Sequence, residues 1–303
     1  MATTDRRLQN LVPVSTIVLV VIVLWYIGAV WLNAPGAIER VLAPKLAPGT
    51  TWTWSDLVQA TLGMQRPVLP SPHQVALDFW SSLVDWPLDS PRNLLYHVAV
   101  TAQSTLVGFV LGTLLGLLLS AGIVHSRTLD KALMPWIVAS QTIPVLAIAP
   151  IVLVILGSLG FSGVLPKAVI AMYLCFFPVT VAMVQGLRSP QKIDTELLYT
   201  YAASPWQTFW ILRMPAALPF LFPALRVGIA AGLVGAMVAE LPTGAQAGLG
   251  AKLLTGSYYG NTVGIWSALV MSALLGLGLT AAVAAIERLV LRHHGNTQGG
   301  GGK

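Results

Sequence analysis

Long uncharged stretches dominate this sequence and decide what it can fold into. Between Lys131 and Lys167 no residue carries a charge. A run of about 20 apolar residues is long enough to cross a lipid bilayer as a helix. Only 9% of the chain is charged and the mean hydropathy is +0.75, whereas about 25% of an average soluble domain is charged. The sequence therefore predicts an all-α polytopic membrane protein.

Six segments are predicted to span the bilayer, one of them lying within residues 132–166. The other five are Val12–Trp31, Val98–Val124, Ala168–Leu187, Phe220–Ala239 and Thr262–Ile286. Although two arginines precede the first span, its apolar run exceeds the 7–15 residues usual in a signal peptide, which favours a retained anchor. This predicts an N-terminal tail and first helix (1–32), an external segment (33–96), a transmembrane core (97–291) with a loop at 189–219, and a flexible tail (292–303).

The external segment contains one predicted surface helix. Pro72 suits a first helical position, and Val75, Phe79 and Leu83 form an apolar stripe at helical spacing.

Basic residues indicate the orientation of the spans. With six spans both termini lie on one side, and that side receives Arg6, Arg7, Arg127, Lys131, Arg188, Lys192, Arg213, Arg288 and Arg292. Because lysine and arginine are enriched in cytoplasmic loops, the termini and the 189–219 loop are predicted to be cytoplasmic. The net charge of +6 is spread over these loops, so it indicates topology and contact with the bilayer rather than nucleic-acid binding.

Motifs for catalysis or cofactor binding do not occur in the sequence. No G-x-x-x-x-G-K-[ST] phosphate loop is present, and no hydrolase, kinase or zinc-protease signature appears. The single cysteine, Cys175, allows no disulfide within the chain, and no cysteine or histidine cluster suggests a metal site. The sequence predicts that this chain is not an enzyme and holds neither cofactor nor metal.

The stretch "YAASPWQTFWILRMPAALP" (201–219) interrupts the apolar segments with an amphipathic one. Asp194 is predicted to cap a first helix. Ser204 is a good N-cap for a second helix, Pro205 fits its first position, and Gln207 completes a capping box. Pro215 and Pro219 are expected to end that second helix and to lead into the fifth span. Each helix is too short to cross a bilayer, so the pattern predicts a helix–break–helix loop.

The second helix of this loop has one apolar face. Trp206, Phe209, Trp210 and Arg213 are spaced to share it. The face has two open interpretations: it lies on lipid or on the protein's own bundle, or it docks onto a cytoplasmic partner. Residue spacing alone does not choose between them.

The loop resembles the EAA loop of binding-protein-dependent ABC importer permeases, whose pattern is E-A-A-x3-G-x9-I-x-L-P. Glu196 and Pro215 match the pattern at the required spacing. Leu197 and Leu198 stand in place of its alanines. Ala202 stands in place of its glycine, the residue that normally makes the tight turn of the loop.

Further motifs resemble the nitrate/sulfonate/taurine branch of this family, over roughly residues 69–291. They are "LPSPHQV", "TAQSTLVGFVLGTLLGLLLS", "QTIPVLAIAPIVLVILG", "FFPVTVAMVQGL" and "PAALPFLFPALRVGIAAGLVGAMVAEL". The resemblance implies a type I importer permease of a bacterial inner membrane. It implies a second permease subunit, identical or not, two cytoplasmic ATP-binding subunits that bind ATP and Mg, and an extracytoplasmic substrate-binding protein. The implied substrate is a small organic anion or heterocycle, such as a sulfonate, nitrate or a vitamin precursor.

With that resemblance, docking on the ATPase becomes the favoured interpretation of the loop, and alternating access the expected mechanism. The residues then implied in coupling are Glu196, Leu197, Leu198, Ala202, Ala203, Ser204, Trp206, Phe209, Trp210, Arg213 and Pro215. The rival classes are a stand-alone carrier or channel, which should show inverted repeats, and a membrane-embedded enzyme. Neither an internal repeat nor a catalytic set is apparent in the sequence.

Candidates for the translocation path are polar or bulky residues within the spans, because intramembrane polar groups usually face a bundle interior or a cavity. They are Gln141, Thr142, Met172, Phe176, Phe177, Gln185 and Glu240. For the methionine and the two phenylalanines ordinary helix packing is the alternative to a gate. Glu240 either lines the external mouth or is an interfacial charge. Separately, Gly108, Gly112 and Gly116 form a double G-x-x-x-G pattern that permits close helix packing, within the bundle or across a dimer.

Overall fold

The computed structural model describes residues 2–42, 51–242 and 247–298, with side chains from residue 12 to residue 290 of those ranges. All regular structure in them is helical, which confirms the all-α fold class. The chain divides into two compact units. Unit 1 comprises residues 1–94 and 252–270, and unit 2 comprises residues 95–251 and 271–303.

Five helical segments in the described chain are long and apolar enough to span a membrane. Each includes all or most of one helix, namely α1 (Ala2–Ala37), α4 (Leu94–His125), α7 (Val164–Leu187), α10 (Met214–Glu240) or α12 (Thr262–Gln298). The third predicted span is not one straight helix. It consists of α5 (Arg127–Ser140) and α6 (Val145–Ser158), which are bent by 103° at a short break. Pro144, whose nitrogen has no hydrogen to donate, is the N-cap of α6 and marks this break.

Helix packing in unit 2 shows that the bent pair crosses the bilayer once. Gly108 of α4 faces Ala168 and Ala171 of α7, and Gly116, two turns further, faces Val179. The contacting residue numbers increase together along α4 and α7, so the two helices are parallel. Since two consecutive straight spans would be antiparallel, α5 and α6 together return the chain across the membrane.

The glycines of α4 pack against α7 of the same chain. A Cβ atom at Gly112 would lie 2.6 Å from the Cys175 Cβ and 2.9 Å from the Met172 carbonyl oxygen. These are backbone and Cβ atoms, so they cannot move aside without separating the helices. The double G-x-x-x-G pattern therefore serves the bundle itself, as close-packing small residues do in membranes.

We expect Gly112→Ala to lower the free energy of unfolding by about 1–3 kcal/mol, the usual cost of inserting a methyl group into a closed contact. Unfolding by SDS in mixed micelles, followed by circular dichroism, measures it. Gly278→Ala is the matched control, because a Cβ atom at Gly278 meets nothing within 4 Å. Equal stabilities of the two variants would contradict the packing role.

Helix α10 packs antiparallel to α7. Gly186 near the end of α7 faces Ala217 near the start of α10, whereas the Cys175 Sγ donates to the Gly228 carbonyl oxygen at 2.9 Å. Cys175 is buried, as expected for a small packing residue.

Helix α12 is in turn antiparallel to α10, because Gly276 faces Leu233 and Glu287 pairs with Arg226. The C-terminal ends of α4, α7 and α12 and the N-terminal end of α10 thus gather at one end of unit 2, here called the loop end.

Unit 1 is held together by a buried asparagine. Asn33 of α1, only 1% exposed, donates to the Leu69 carbonyl oxygen at 2.8 Å and accepts from the Val68 amide at 2.7 Å. The predicted surface helix is present as α3 (Pro72–Val84).

A second short helix of unit 1, α2 (Trp54–Leu62), was not predicted from the sequence. Its signal was available, because Thr53 and Asp56 form a capping box. At the other end of the chain, α12 runs to Gln298, so the tail expected to be flexible from residue 292 is helical as far as the structure describes it.

Candidate functional site

The amphipathic interruption lies at the loop end of unit 2, and residues 188–213 are here called the helical loop. Its first helix is α8 (Lys192–Thr200). Asp194 is not the N-cap, as predicted, but the third helical residue, and its carboxylate accepts from the amide of the N-cap residue Gln191 at 3.2 Å. An acidic side chain suits either position, because both lie at the positive end of the helix.

Ala202 makes the tight turn that ends this first helix. Its φ is +53°, a left-handed conformation that no other non-glycine residue of the described chain adopts. The Ala203 amide donates to the Leu198 carbonyl oxygen at 3.0 Å and the Ala202 amide to the Tyr199 carbonyl oxygen at 2.9 Å. This pair of bonds is a Schellman motif, in which the left-handed residue is usually glycine. The turn is therefore kept despite the alanine, at the cost of local strain.

We expect Ala202→Gly to stabilise this turn by about 1 kcal/mol, because a left-handed conformation costs an L-residue roughly 1–2 kcal/mol and glycine very little. Hydrogen exchange of the Ala203 amide measures the local opening directly. Ala203→Gly is the matched control, since residue 203 has no positive φ to relieve. We expect slower exchange in Ala202→Gly and not in Ala203→Gly. Equally slow exchange in both variants would show that the left-handed conformation of Ala202 is not strained.

The second helix begins as the sequence predicts and ends elsewhere. Ser204 caps it, the Ser204 amide donates to Gln207 Oε1 at 2.8 Å, and Pro205 takes the first turn. Neither Pro215 nor Pro219 ends it, because both lie within α10. Helix α9 (Pro205–Thr208) passes through a π-helical turn (Phe209–Arg213) directly into α10.

This π-helical turn explains how the helix continues past a proline. The Met214 amide donates to the Phe209 carbonyl oxygen, five residues back. The wider turn accommodates the next residue, Pro215, which has no N–H to donate. The sequence predicts a separate short helix, whereas the second loop helix is continuous with the spanning helix α10.

The three aromatic residues of this helix do not share one environment. Phe209 is 7% exposed and packs with Val179, Met183 and Leu187 of α7. Its ring also lies 5.1 Å from the ring of His125, the last residue of α4. Phe209 is thus an anchor within the protein and not part of a face offered to a partner, a correction to the sequence interpretation.

Trp206 and Trp210 remain at the surface of the loop. They are 66% and 51% exposed and meet edge to face, with ring centroids 5.6 Å apart. The ring of Trp206 also stacks at 6.2 Å on that of the buried Phe209. The two exposed rings are therefore held in place by contacts with each other and with the buried Phe209 ring.

Helix α8 adds further apolar surface beside this pair. Ile193, Leu197 and Tyr201, spaced four residues apart, are 67%, 56% and 78% exposed, respectively. Glu196 is exposed, and within the described part of the chain its one ion pair is with Lys192, at 3.5 Å. Large exposed apolar side chains concentrated in one short segment indicate a contact surface.

The candidate path residues fall into three environments. Gln141, Thr142 and Gln185 are exposed, the first two at the bend between α5 and α6. Met172 and Phe177 are half-buried. Phe176 is buried against Ile123, Ile137 and Val184, which favours ordinary packing over a gate for that side chain.

Glu240 neither lines a mouth nor lies at an interface, contrary to both sequence alternatives. It has no exposed surface. Its carboxylate accepts from the Thr101 hydroxyl at 2.9 Å and from the Gly250 amide at 2.8 Å, and it faces Lys167 Nζ at 3.9 Å. Lys167 in turn donates to the Ala247 carbonyl oxygen at 3.2 Å. A carboxylate this deeply enclosed joins α4, α7 and α10 to the start of α11 (Leu249–Tyr259).

Comparison with known proteins finds a family model that covers more than half of the chain. Residues 108–292 match the family model described as "binding-protein-dependent transport system inner membrane component". The riboflavin transport system permease protein RibX of Chloroflexus aurantiacus is 35% identical, over 74% of this chain and 80% of that relative.

Two further relatives extend the comparison. The formylaminopyrimidine transport permease protein ThiX of Halalkalibacterium halodurans is 32% identical, over 77% of this chain and 89% of the relative. The taurine transport system permease protein TauC of Escherichia coli is 24% identical, over 79% of this chain and 85% of the relative.

Proposed function

The chain belongs to the family of binding-protein-dependent transport system inner membrane components, and we propose that its helical loop couples it to a separate ATPase. It is a multi-pass transport permease. The exposed Trp206–Trp210 pair carries the proposal, because it projects from the loop end on a helix continuous with a span. An aromatic projection of this kind suits insertion of a helix into a groove.

The proposed mechanism is alternating access driven by the partner. Two ATPase subunits that bind ATP and Mg close on each other and draw two permease subunits together through their loops. Continuity of the loop with α10 transmits this movement to the span directly. The proposed role of this chain is to form the translocation path and, through the helical loop and α10, to transmit the movement of the ATPase. ATP hydrolysis takes place in the ATPase, and an extracytoplasmic binding protein first captures the substrate.

The loop end is proposed to be cytoplasmic. Arg127, Lys131, Arg188 and Arg213 lie at the helix ends gathered there, and basic residues accumulate on the cytoplasmic side of membrane proteins. Docking of a cytoplasmic ATPase requires the same orientation. Labelling of a cysteine placed at exposed position 192, in a chain with Cys175 replaced by serine, tests it in intact cells: protection from an impermeant reagent supports the proposal.

The proposed substrate is a small heterocycle rather than a sulfonate. Two relatives above 30% identity are named for riboflavin and formylaminopyrimidine, and a third above 30% has no substrate in its name, whereas the relative named for taurine is 24% identical. Lys167, a buried cation of unit 2, is paired with Glu240 and so is not an open site for an anion. Uptake of riboflavin, a formylaminopyrimidine and taurine into proteoliposomes, with the partner subunits present, distinguishes the classes.

Purification from native membranes in mild detergent tests the function as a whole. We expect an ATP-binding subunit to co-purify in equal amount, and transport by the purified complex to require ATP and Mg. A stand-alone carrier, the rival class, would transport in proteoliposomes that contain this chain alone, and that result would overturn the proposal.

A further inference from the structure

A polar cavity of about 510 Å³ opens at the loop end of unit 2. The ends of α4 and α7, the start of α5 and the helical loop line it. Its charged and titratable lining residues are His125, Arg127, Asp130, Arg188 and Arg213. The permease function as proposed above makes no use of this cavity.

The cavity has an excess of positive charge. Its single carboxylate, on Asp130, is already paired with Arg188 at 2.8 Å. Arg127 and Arg213 form no ion pair with any residue that the structure describes. Three guanidinium groups and one carboxylate therefore line the same space, and an anion bound there would relieve the mutual repulsion of the guanidinium groups.

From this geometry we infer that the cavity binds the phosphate group of an anionic phospholipid. Guanidinium groups recognise phosphate oxygens with paired hydrogen bonds, and two of the three contact no carboxylate among the described side chains. The volume of about 510 Å³ is that of a typical small-ligand pocket, of roughly 300–1,000 Å³. It thus accommodates a whole headgroup rather than a bare ion.

The position of the cavity favours a lipid as the source of the phosphate. It lies where the spanning helices α4 and α7 end, which is the depth of phospholipid headgroups. A shallow groove adjoins it along α5, sharing Asp130 and lined further by Lys131, Met134, Pro135 and Val138. Trp136 of the same helix is 77% exposed, as is usual for tryptophan at a membrane interface. An acyl chain can follow this surface from the headgroup into the bilayer.

Binding there would connect the helical loop to the transmembrane bundle. Arg213 belongs to the π-helical turn of the loop, Arg127 to the start of α5, and Arg188 caps the end of α7. One phosphate contacted by all three would hold the base of the loop against two helix ends. Anionic lipid is then expected to stabilise the loop as well as to bind.

The test compares lipid binding by the delipidated full chain in detergent. Phosphatidylglycerol and phosphatidylcholine with identical acyl chains are titrated, and retained lipid is counted by native mass spectrometry. We expect Arg127→Gln combined with Arg213→Gln to weaken phosphatidylglycerol binding about 30-fold, at roughly fivefold per basic residue, with no change for phosphatidylcholine. Lys192→Gln is the matched control, because this lysine lies at the same end, is 90% exposed and is outside the cavity.

The outcomes separate the possible sources of the anion. Retention of phosphatidylglycerol by the double variant, or an equal loss in the Lys192→Gln control, would overturn the proposal. Inorganic phosphate that displaces phosphatidylglycerol at millimolar concentration would assign the site to free phosphate instead. Should the double variant elute as an aggregate, Arg127→Lys with Arg213→Lys keeps both charges and is expected to retain most binding; complete loss there would also count against a charge-based site.

Discussion

The double variant Trp206→Ala, Trp210→Ala is expected to lose the ATPase and, with it, transport. Exposed tryptophans that insert into a partner are typical hot spots, each worth about 2 kcal/mol or more. Loss of two such anchors is equivalent to roughly a thousandfold weaker association. Co-purification from native membranes and ATP-dependent uptake into proteoliposomes measure both consequences.

Two further variants separate docking from folding. Trp136→Ala removes another tryptophan that is more than half exposed but lies on α5, outside the helical loop, so ATPase association should persist. Phe209→Ala removes the buried anchor and is expected to destabilise the fold by about 3–5 kcal/mol, as large-to-small core substitutions do. Intact association and transport in the tryptophan double variant would remove the Trp206–Trp210 pair from the coupling surface.

Local sequence signals predicted the start of the second loop helix correctly. Ser204, Pro205 and Gln207 act through the backbone of their own turn, so their effect is readable without knowledge of the fold. The spanning helices were predictable for a similar reason, because the bilayer demands a minimum apolar length. The exceptions were helix ends, where Pro215 was expected to stop a helix that a π-helical turn carries on.

Residue spacing could not decide which side chains of the loop are covered. Periodicity placed Phe209 and Trp206 on one face, but it contains no information about the neighbouring helix ends. The structure brings His125 and α7 against Phe209 alone. The surface open to a partner is consequently narrower than the sequence predicted, and it is built on Trp206 and Trp210.

The burial of Glu240 was unpredictable for the same reason. Its hydrogen-bond partner Thr101 is 139 positions away in the sequence, and another bond comes from the backbone of Gly250. A glutamate at the end of an apolar run resembles an interfacial charge when only its neighbours in sequence are considered. Long-range contacts of this kind become visible only in the assembled bundle.

We expect Glu240→Ala to lower the free energy of unfolding by about 3–5 kcal/mol, because removal of one partner leaves a buried opposite charge uncompensated. Lys167, which is 8% exposed, would lose its carboxylate. The Thr101 hydroxyl and the Gly250 amide would lose their acceptor as well. SDS unfolding in mixed micelles measures the change, and the exposed Glu196→Ala is the control, with an expected loss below about 0.5 kcal/mol for a single surface pair.

A second substitution distinguishes a polar tether from simple space filling. Glu240→Gln keeps an oxygen for the Thr101 and Gly250 hydrogen bonds and is expected to cost less than Glu240→Ala. Adding Lys167→Met to Glu240→Ala should restore part of the stability, because no buried charge then stays unpaired. If the pair contributes nothing, the losses in the double variant will simply add, and Glu240 will have to be regarded as a packing residue that happens to carry a charge.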